Sequence, residues 1–204
     1  MPTPLHPKAS IGFDEIYSVW CATPHGLGGL SWSSSQIGTC LMVFGGCTAF
    51  GMFVVYPRLE RAQGPRQLFI MASVVTAVLA MMVPVAEDVG RVHPSLRLPF
   101  LGIVGAVRTV ANSALFVVAS VFVNNAVPPQ IRATYNGLSF TCVAAVRAIS
   151  PAILGRIYSW SISAARLFPL DVHCVFLIIG ACYGYAALTA FNRFDNTIEK
   201  PLSR

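Results

Sequence analysis

Four charged side chains stand in or beside apolar runs: Asp14, Glu15, Arg108 and Arg147. An arginine at membrane depth costs about 2.5–3.5 kcal/mol on insertion scales, so it survives by facing a protein interior or a wet cavity with a partner. By default such a residue marks a path for ions or solutes. Spacing places three of the charges at a common level. Glu15 precedes Thr23, at an outer loop, by eight residues; at about 1.5 Å per residue it lies roughly 12 Å deep. Arg108 follows Leu98 by ten residues, or roughly 15 Å. Arg147 precedes Arg156 by nine, or roughly 13 Å. Carboxylates and guanidiniums from separate helices are therefore expected to meet near the midplane. Such a network is tolerable when satisfied or when it borders water.

Two roles fit this arrangement. A carboxylate that changes protonation as a cavity opens to alternate sides couples proton flow to solute flow, and Glu15 is the residue expected to do so. A static ion pair would instead fix the helix register. Asp14 is left open between joining the pair, capping a helix and facing water.

Other chemistry is missing from the pattern. No His-Glu-x-x-His, Gly-x-Ser-x-Gly or aspartate cluster appears, so an enzyme is not expected, and no cofactor is implied. His6, His25, His93 and His173 are scattered over termini, loops and helix ends. They read as interfacial or solvated, with no zinc-ligand spacing. Gly38, Gly45, Gly46 and Gly51 follow no strand and precede no Lys-Ser/Thr. They read as close helix contacts rather than a phosphate loop. The six cysteines form no CxxC pair and read as packing residues.

The elements that must carry these residues are membrane helices. The 204 residues are 55% hydrophobic and only 11% charged, against roughly 25% charged in soluble domains. Mean hydropathy is +0.65. Runs of about 20 apolar residues are long enough to span a bilayer. The expected fold is all-α and integral to the membrane. A disordered N-terminus over 1–10 precedes a helical bundle over 11–192, and a cytoplasmic tail occupies 193–204. Spans are expected at 34–57, 67–86, 98–127, 133–155 and 172–192, with a partial, truncated first helix at 11–23. The N-terminal stretch has no apolar core, so it is not read as a signal peptide.

The charge bias sets orientation. Arg58, Arg61, Arg66, Arg132, Arg193, Lys200 and Arg204 fall on one side, and Arg91, Arg97, Arg156 and Arg166 on the other. The richer side is expected to be cytoplasmic. The net charge of +6 is spread over short loops. It forms no basic block, so no nucleic acid is implied. Trp20, Trp32 and Trp160 fall near the opposite ends, where an aromatic belt would lie.

Three stretches carry a resemblance. Asn124-Asn125-Ala126-Val127-Pro128, Arg132 to Asn136-Gly137, and Arg147-Ala148-Ile149-Ser150-Pro151 resemble the tenth and eleventh helices of a major facilitator superfamily transporter. Phe13-Asp14-Glu15-Ile16-Tyr17-Ser18-Val19-Trp20, with Gly28-Gly29-Leu30-Ser31 and Gly38, resembles the seventh helix and following loop of the zinc-induced facilitator-like group. Tyr56-Pro57-Arg58-Leu59-Glu60-Arg61 with Gly64-Pro65 resembles that group's loop between helices eight and nine. Ser150 stands where the group has glycine before the helix-eleven proline, and Ala133-Thr134-Tyr135 departs from its small residues.

The resemblance implies the C-terminal six-helix half of a twelve-helix fold. It implies Glu15 as the seventh-helix carboxylate, and Arg108 and Arg147 where the group carries a basic residue. It implies a gating loop of Arg58, Glu60, Arg61 and Gly64, whose charges hold helix ends in one conformation. The implied activity is proton-coupled transport of a small-molecule or ion substrate across a lipid bilayer, in a vacuolar or plasma membrane. The other wall of the path would come from the missing N-terminal half. The competing reading is a truncated, non-transporting membrane protein that binds or regulates a full-length relative.

Overall fold

The computed structural model describes residues 6–163 and 166–193. The expected tail beyond 193 and the first five residues of the expected N-terminal segment lie outside the described residues. Every regular element among the described residues is helical. The first helix, α1, runs His6–Ala22, so it begins ahead of residue 11, where the hydropathy pattern starts it. α2 spans Ser34–Phe50. Its start is fixed by a capping box: the Ser33 hydroxyl accepts from the Gln36 backbone N–H, and the Gln36 side chain accepts from the Ser33 N–H. A π-helical turn, Gly51–Val55, joins α2 to α3, Tyr56–Met82. Then follow α4, Val85–Val92; α5, Pro94–Asn125; α6, Arg132–Ile162; and α7, His173–Arg193.

The stretch Ser34–Met82 covers 49 helical residues. At about 1.5 Å per residue it would reach roughly 74 Å, over twice the roughly 30 Å of a hydrocarbon core. It is broken once, at Gly64, where φ is 77° and ψ is 161°. Pro65 follows and pushes the preceding residue out of the helical region. The connection expected between the spans 34–57 and 67–86 thus shrinks to a hinge. Helix continues through Gln63, because Gly64-Pro65 is the first strong breaker after Pro57. A side chain at Gly64 would sit in a region only glycine occupies freely, at about 1–3 kcal/mol. Gly64→Ala is therefore expected to lower the thermal midpoint in detergent, and an unchanged midpoint would show a hinge that relaxes at no cost.

α3 packs along α5 and α7, and α1 lies between α6 and α7. The α3 contact surface is small: Ala72, Ser73, Thr76, Ala77 and Ala80 are buried. Across it, a Cβ on Gly180 would collide with Met81 and approach the Ala77 carbonyl. Small residues here let the backbones come together, the device expected for helices in lipid. The glycines in which the sequence suggested close contact behave differently. Gly51 does meet Val110, but Gly38, Gly45 and Gly46 have open space around them.

An aromatic column holds α1 to α7. Phe13 and Trp20 each meet Phe176 edge-on, at 5.8 and 5.7 Å between ring centroids. Trp20 is fully buried and donates to the Gly28 carbonyl at 2.9 Å. It is a core residue rather than part of an aromatic belt. Trp160 is exposed, with Arg166 stacked on its ring. α6 stands apart: none of its most apolar stretch is buried among the described residues.

Candidate functional site

α5 places Arg108 against α1. The Arg108 side chain is 3% exposed, and its Nη2 donates to Asp14 Oδ1 at 3.2 Å. The guanidinium carbon lies 3.5 Å above the Phe13 ring centroid. An aromatic face offers a desolvated cation an attraction that lipid does not. Asp14 is 61% exposed, so the pair has one buried member and one open member. Arg108 Nε and Nη1 are buried and make no hydrogen bond among the described residues.

A cavity of about 300 Å³ opens beside this pair. Asp14, Tyr17, Thr48, Arg108, Asn112 and Ser113 line it. Asn112 is one turn beyond Arg108 on α5, and its Oδ1 accepts from the Tyr183 hydroxyl of α7 at 2.8 Å. The Tyr17 hydroxyl lies 3.2 Å from Cys40 Sγ on α2. Three helices, α1, α2 and α5, thus converge on one partly polar pocket with a fixed cation at its edge, and α7 braces it through Tyr183. Ion-binding sites inside membranes take this form.

The expected convergence is met in part. Asp14, rather than Glu15, reaches Arg108; both carboxylates are exposed, but adjacent residues on a helix point about 100° apart, so they cannot share one partner. Arg147 is exposed on α6, near enough for its charge to act on Asp14, and it is not enclosed with Arg108. Thr48, Asn112, Ser113 and Tyr17 were not singled out from the sequence. The available signal was their polarity within apolar runs, with Asn112 and Ser113 one turn past Arg108.

Within α3, beyond the C-terminal end of α2, Gly64 makes the hinge described above. Arg58 Nη1 donates to the Val54 carbonyl at 2.7 Å, and the Tyr56 hydroxyl bonds to Glu60. Arg61 is exposed. The contact that reaches another helix end is made by Arg66, whose Nη2 donates to the Phe191 carbonyl in the last turn of α7 at 3.0 Å. A cation at a helix C-terminus meets the negative end of the macrodipole. Asn136 Nδ2 on α6 likewise donates to Asn124 Oδ1 on α5 at 2.9 Å.

The end of the bundle expected to face outward holds a second charged cluster. Glu87 is 4% exposed and gathers His25 Nδ1 at 3.2 Å, Arg97 Nη2 at 3.2 Å and Arg91 Nε at 3.6 Å. These residues come from the loop after α1, from α5 and from α4. His25 and His173 are therefore engaged with carboxylates rather than merely solvated. Among the described residues no group of three or more His, Cys, Asp or Glu is arranged to hold a metal ion.

Comparison with known proteins places this geometry. No family model matches the chain, and no solved structure matches it. Zinc induced facilitator 1 of Arabidopsis thaliana is 28% identical over 200 residues, covering 96% of this chain and 39% of the relative. Zinc induced facilitator-like 1 of the same plant is 28% identical over 201 residues, covering 93% of this chain and 39% of its own length. A probable peptide/nitrate transporter of that plant is 27% identical over 151 residues, 74% of this chain and 31% of the relative. The chain spans about two fifths or less of the relatives it matches. Over most of its own length, this all-α chain, with four helices among the described residues long and apolar enough to cross a membrane, is thus similar to zinc-induced facilitator proteins, members of the major facilitator superfamily.

Proposed function

We propose that the chain forms the C-terminal six-helix half of a proton-coupled secondary transporter for small solutes or ions. The observation that carries this reading is the Asp14–Arg108 pair at the rim of a polar cavity between α1, α2 and α5. Asp14, Glu15 and Arg147 are exposed among the described residues, and helical rise is expected to put them near the membrane midplane. Lipid cannot satisfy those charges, whereas a second half closing over the cavity can. Asp14 is the carboxylate in position to exchange its guanidinium partner for a proton. Protonated, it releases Arg108 to a solute entering the cavity; ionised, it reclaims Arg108 once the solute has left. Rocking of the two halves would expose the pair to each side in turn. The gating residues Arg58, Glu60, Arg61 and Gly64, joined by Arg66 at the end of α7, would favour one of the two positions. The membrane would be vacuolar or plasma membrane.

Reconstitution into liposomes with a trapped pH dye tests this. The chain is assayed alone and paired with the N-terminal half of zinc induced facilitator 1, against a set of small organic ions and monovalent cations. Solute-dependent proton movement is expected in the paired sample and is expected to vanish in Asp14→Asn. Inert vesicles in both samples, with the chain co-purifying with a full-length relative, would replace transport with a regulatory role.

A further inference from the structure

The outer end of the bundle contains a histidine with a carboxylate on each ring nitrogen. His173 opens α7 and is 13% exposed. Its Nδ1 lies 2.9 Å from Asp171 Oδ1, and its Nε2 lies 3.5 Å from Asp88 Oδ2 on α4. Neutral imidazole has one N–H donor and one lone pair, whereas imidazolium donates from both nitrogens. A carboxylate accepts only. The Asp171 contact is a hydrogen bond, and the longer Asp88 contact is an ion pair; both are attractive together only when the ring carries both protons.

We propose that His173 is a proton-operated clasp that ties α4 to the head of α7 when charged and lets α4 go when neutral. The two contacts differ in what backs them. Asp171 Oδ1 also accepts from the His173 backbone N–H at 3.0 Å, so that carboxylate stays with its local partner. Asp88 is half exposed and has an alternative in Arg91 Nη1 at 3.8 Å. A neutral ring keeps its proton on Nδ1 toward Asp171. Its Nε2 lone pair then faces the Asp88 carboxylate, which is repulsive, and Asp88 turns to Arg91.

The neighbouring charges do not duplicate this action. Glu87 keeps Arg91 and Arg97 whatever the state of His25. A proton on His25 adds a third cation to Glu87 and acts in the same direction as the clasp. The Phe168 ring meets His173 edge-on, and Arg166 shares the cavity. His93 is exposed where α4 ends. The clasp borders an outer cavity of about 400 Å³ lined by Asp88, Arg91, Arg166, Asp171 and His173. That cavity is closed by acid on its own side and opened as the pH there rises. The inference stands on the outer end alone and does not require the transport reading.

Electron spin distance measurement reads it directly. Labels go on V92C at the end of α4 and L170C before α7, with the six native cysteines replaced. Both label sites are exposed. Histidine titrates between about pH 5 and pH 8, so spectra are compared near those limits. The full chain is expected to give one narrow distance at the acid limit and a longer, broader one at the alkaline limit. H173Q and D88N are each expected to give the long distribution at both. D88N leaves the α7 head untouched, so it decides the matter if H173Q does not fold. Identical wild-type distributions at the two limits, or a pH response that survives in either variant, would overturn the clasp. Nitrogen-15 shifts of a neutral His173 ring at the acid limit would do the same.

Discussion

Arg108→Met is expected to leave the fold as stable as the wild type, or more so, and to abolish transport in the paired assay. The asymmetry of the pair dictates this. Arg108 is the buried member and Asp14 the open one. Replacing a whole buried ion pair by apolar side chains is often neutral, or stabilising by about 1–4 kcal/mol, because the desolvation penalty disappears; Arg108→Met removes the member that carries that penalty and leaves the open carboxylate to the aqueous cavity. Methionine loses the stacking of the guanidinium on Phe13 but still packs against the ring. Asp14 remains in its exposed position and keeps access to whatever covers the cavity. Asp14→Ala does the opposite. It leaves a guanidinium that is 3% exposed without its carboxylate, a destabilisation below the about 3–5 kcal/mol of a fully buried pair because Asp14 is open to solvent. Thermal unfolding in detergent should therefore rank the variants Arg108→Met, wild type, Asp14→Ala, from most to least stable. If the pair only fixed helix register, Arg108→Met would transport normally. Normal solute flux in that variant would remove Arg108 from the path.

What the sequence made legible follows what hydropathy and helical rise can measure. The spacing of Arg108 from the outer end located it at the level of the cavity, and sign complementarity called for an acidic partner on another helix. The choice between Asp14 and Glu15 needed the azimuth of α1. That azimuth is set by the burial of Phe13, Ile16, Tyr17 and Trp20, whose spacing defines one face. Helical rise gave Arg147 the same expected depth as Arg108, yet it is exposed on α6 and not enclosed with Arg108, because depth along an axis carries no information about rotation around it. Trp20 shows the same limit: its height suits an interfacial belt, while its rotation carries it into the core. The outer cluster was the least legible feature. Glu87 and Asp88 lie together in sequence, but His25, Arg97 and His173 come from three other segments. Their meeting depends on how the loops fold over the bundle end, which no periodicity encodes.

Glu87→Gln is expected to be the most destabilising single change at the outer end, and Arg91→Gln to be nearly silent. Glu87 is 4% exposed and is shared by two guanidiniums and an imidazole from three segments of the chain. Arg97, one of the three, is 20% exposed and lies over Gly90 so closely that a Cβ there would collide with it. Without the carboxylate, Arg97 is left mostly buried and uncompensated, facing two other potential cations. Partial solvation of Arg97 lowers the penalty below that of a fully enclosed pair, to about 2–4 kcal/mol. For a chain of this size that is a fall of on the order of 5–15 °C in the thermal midpoint. Arg91 is 58% exposed and pairs with Glu87 and Asp88 within its own helix. Exposed pairs one turn apart contribute a few tenths of a kcal/mol. Glu87 has three charged contacts and Arg91 two, one of them shared, so additive contacts of equal strength would make the two losses comparable in size. A loss many times larger for Glu87→Gln, measured side by side by thermal unfolding at neutral pH, would show that burial of the shared acceptor sets the energetics. Equal midpoints would show that Arg97 finds water or another acceptor when Glu87 is neutralised, and that the outer loops are held by packing alone.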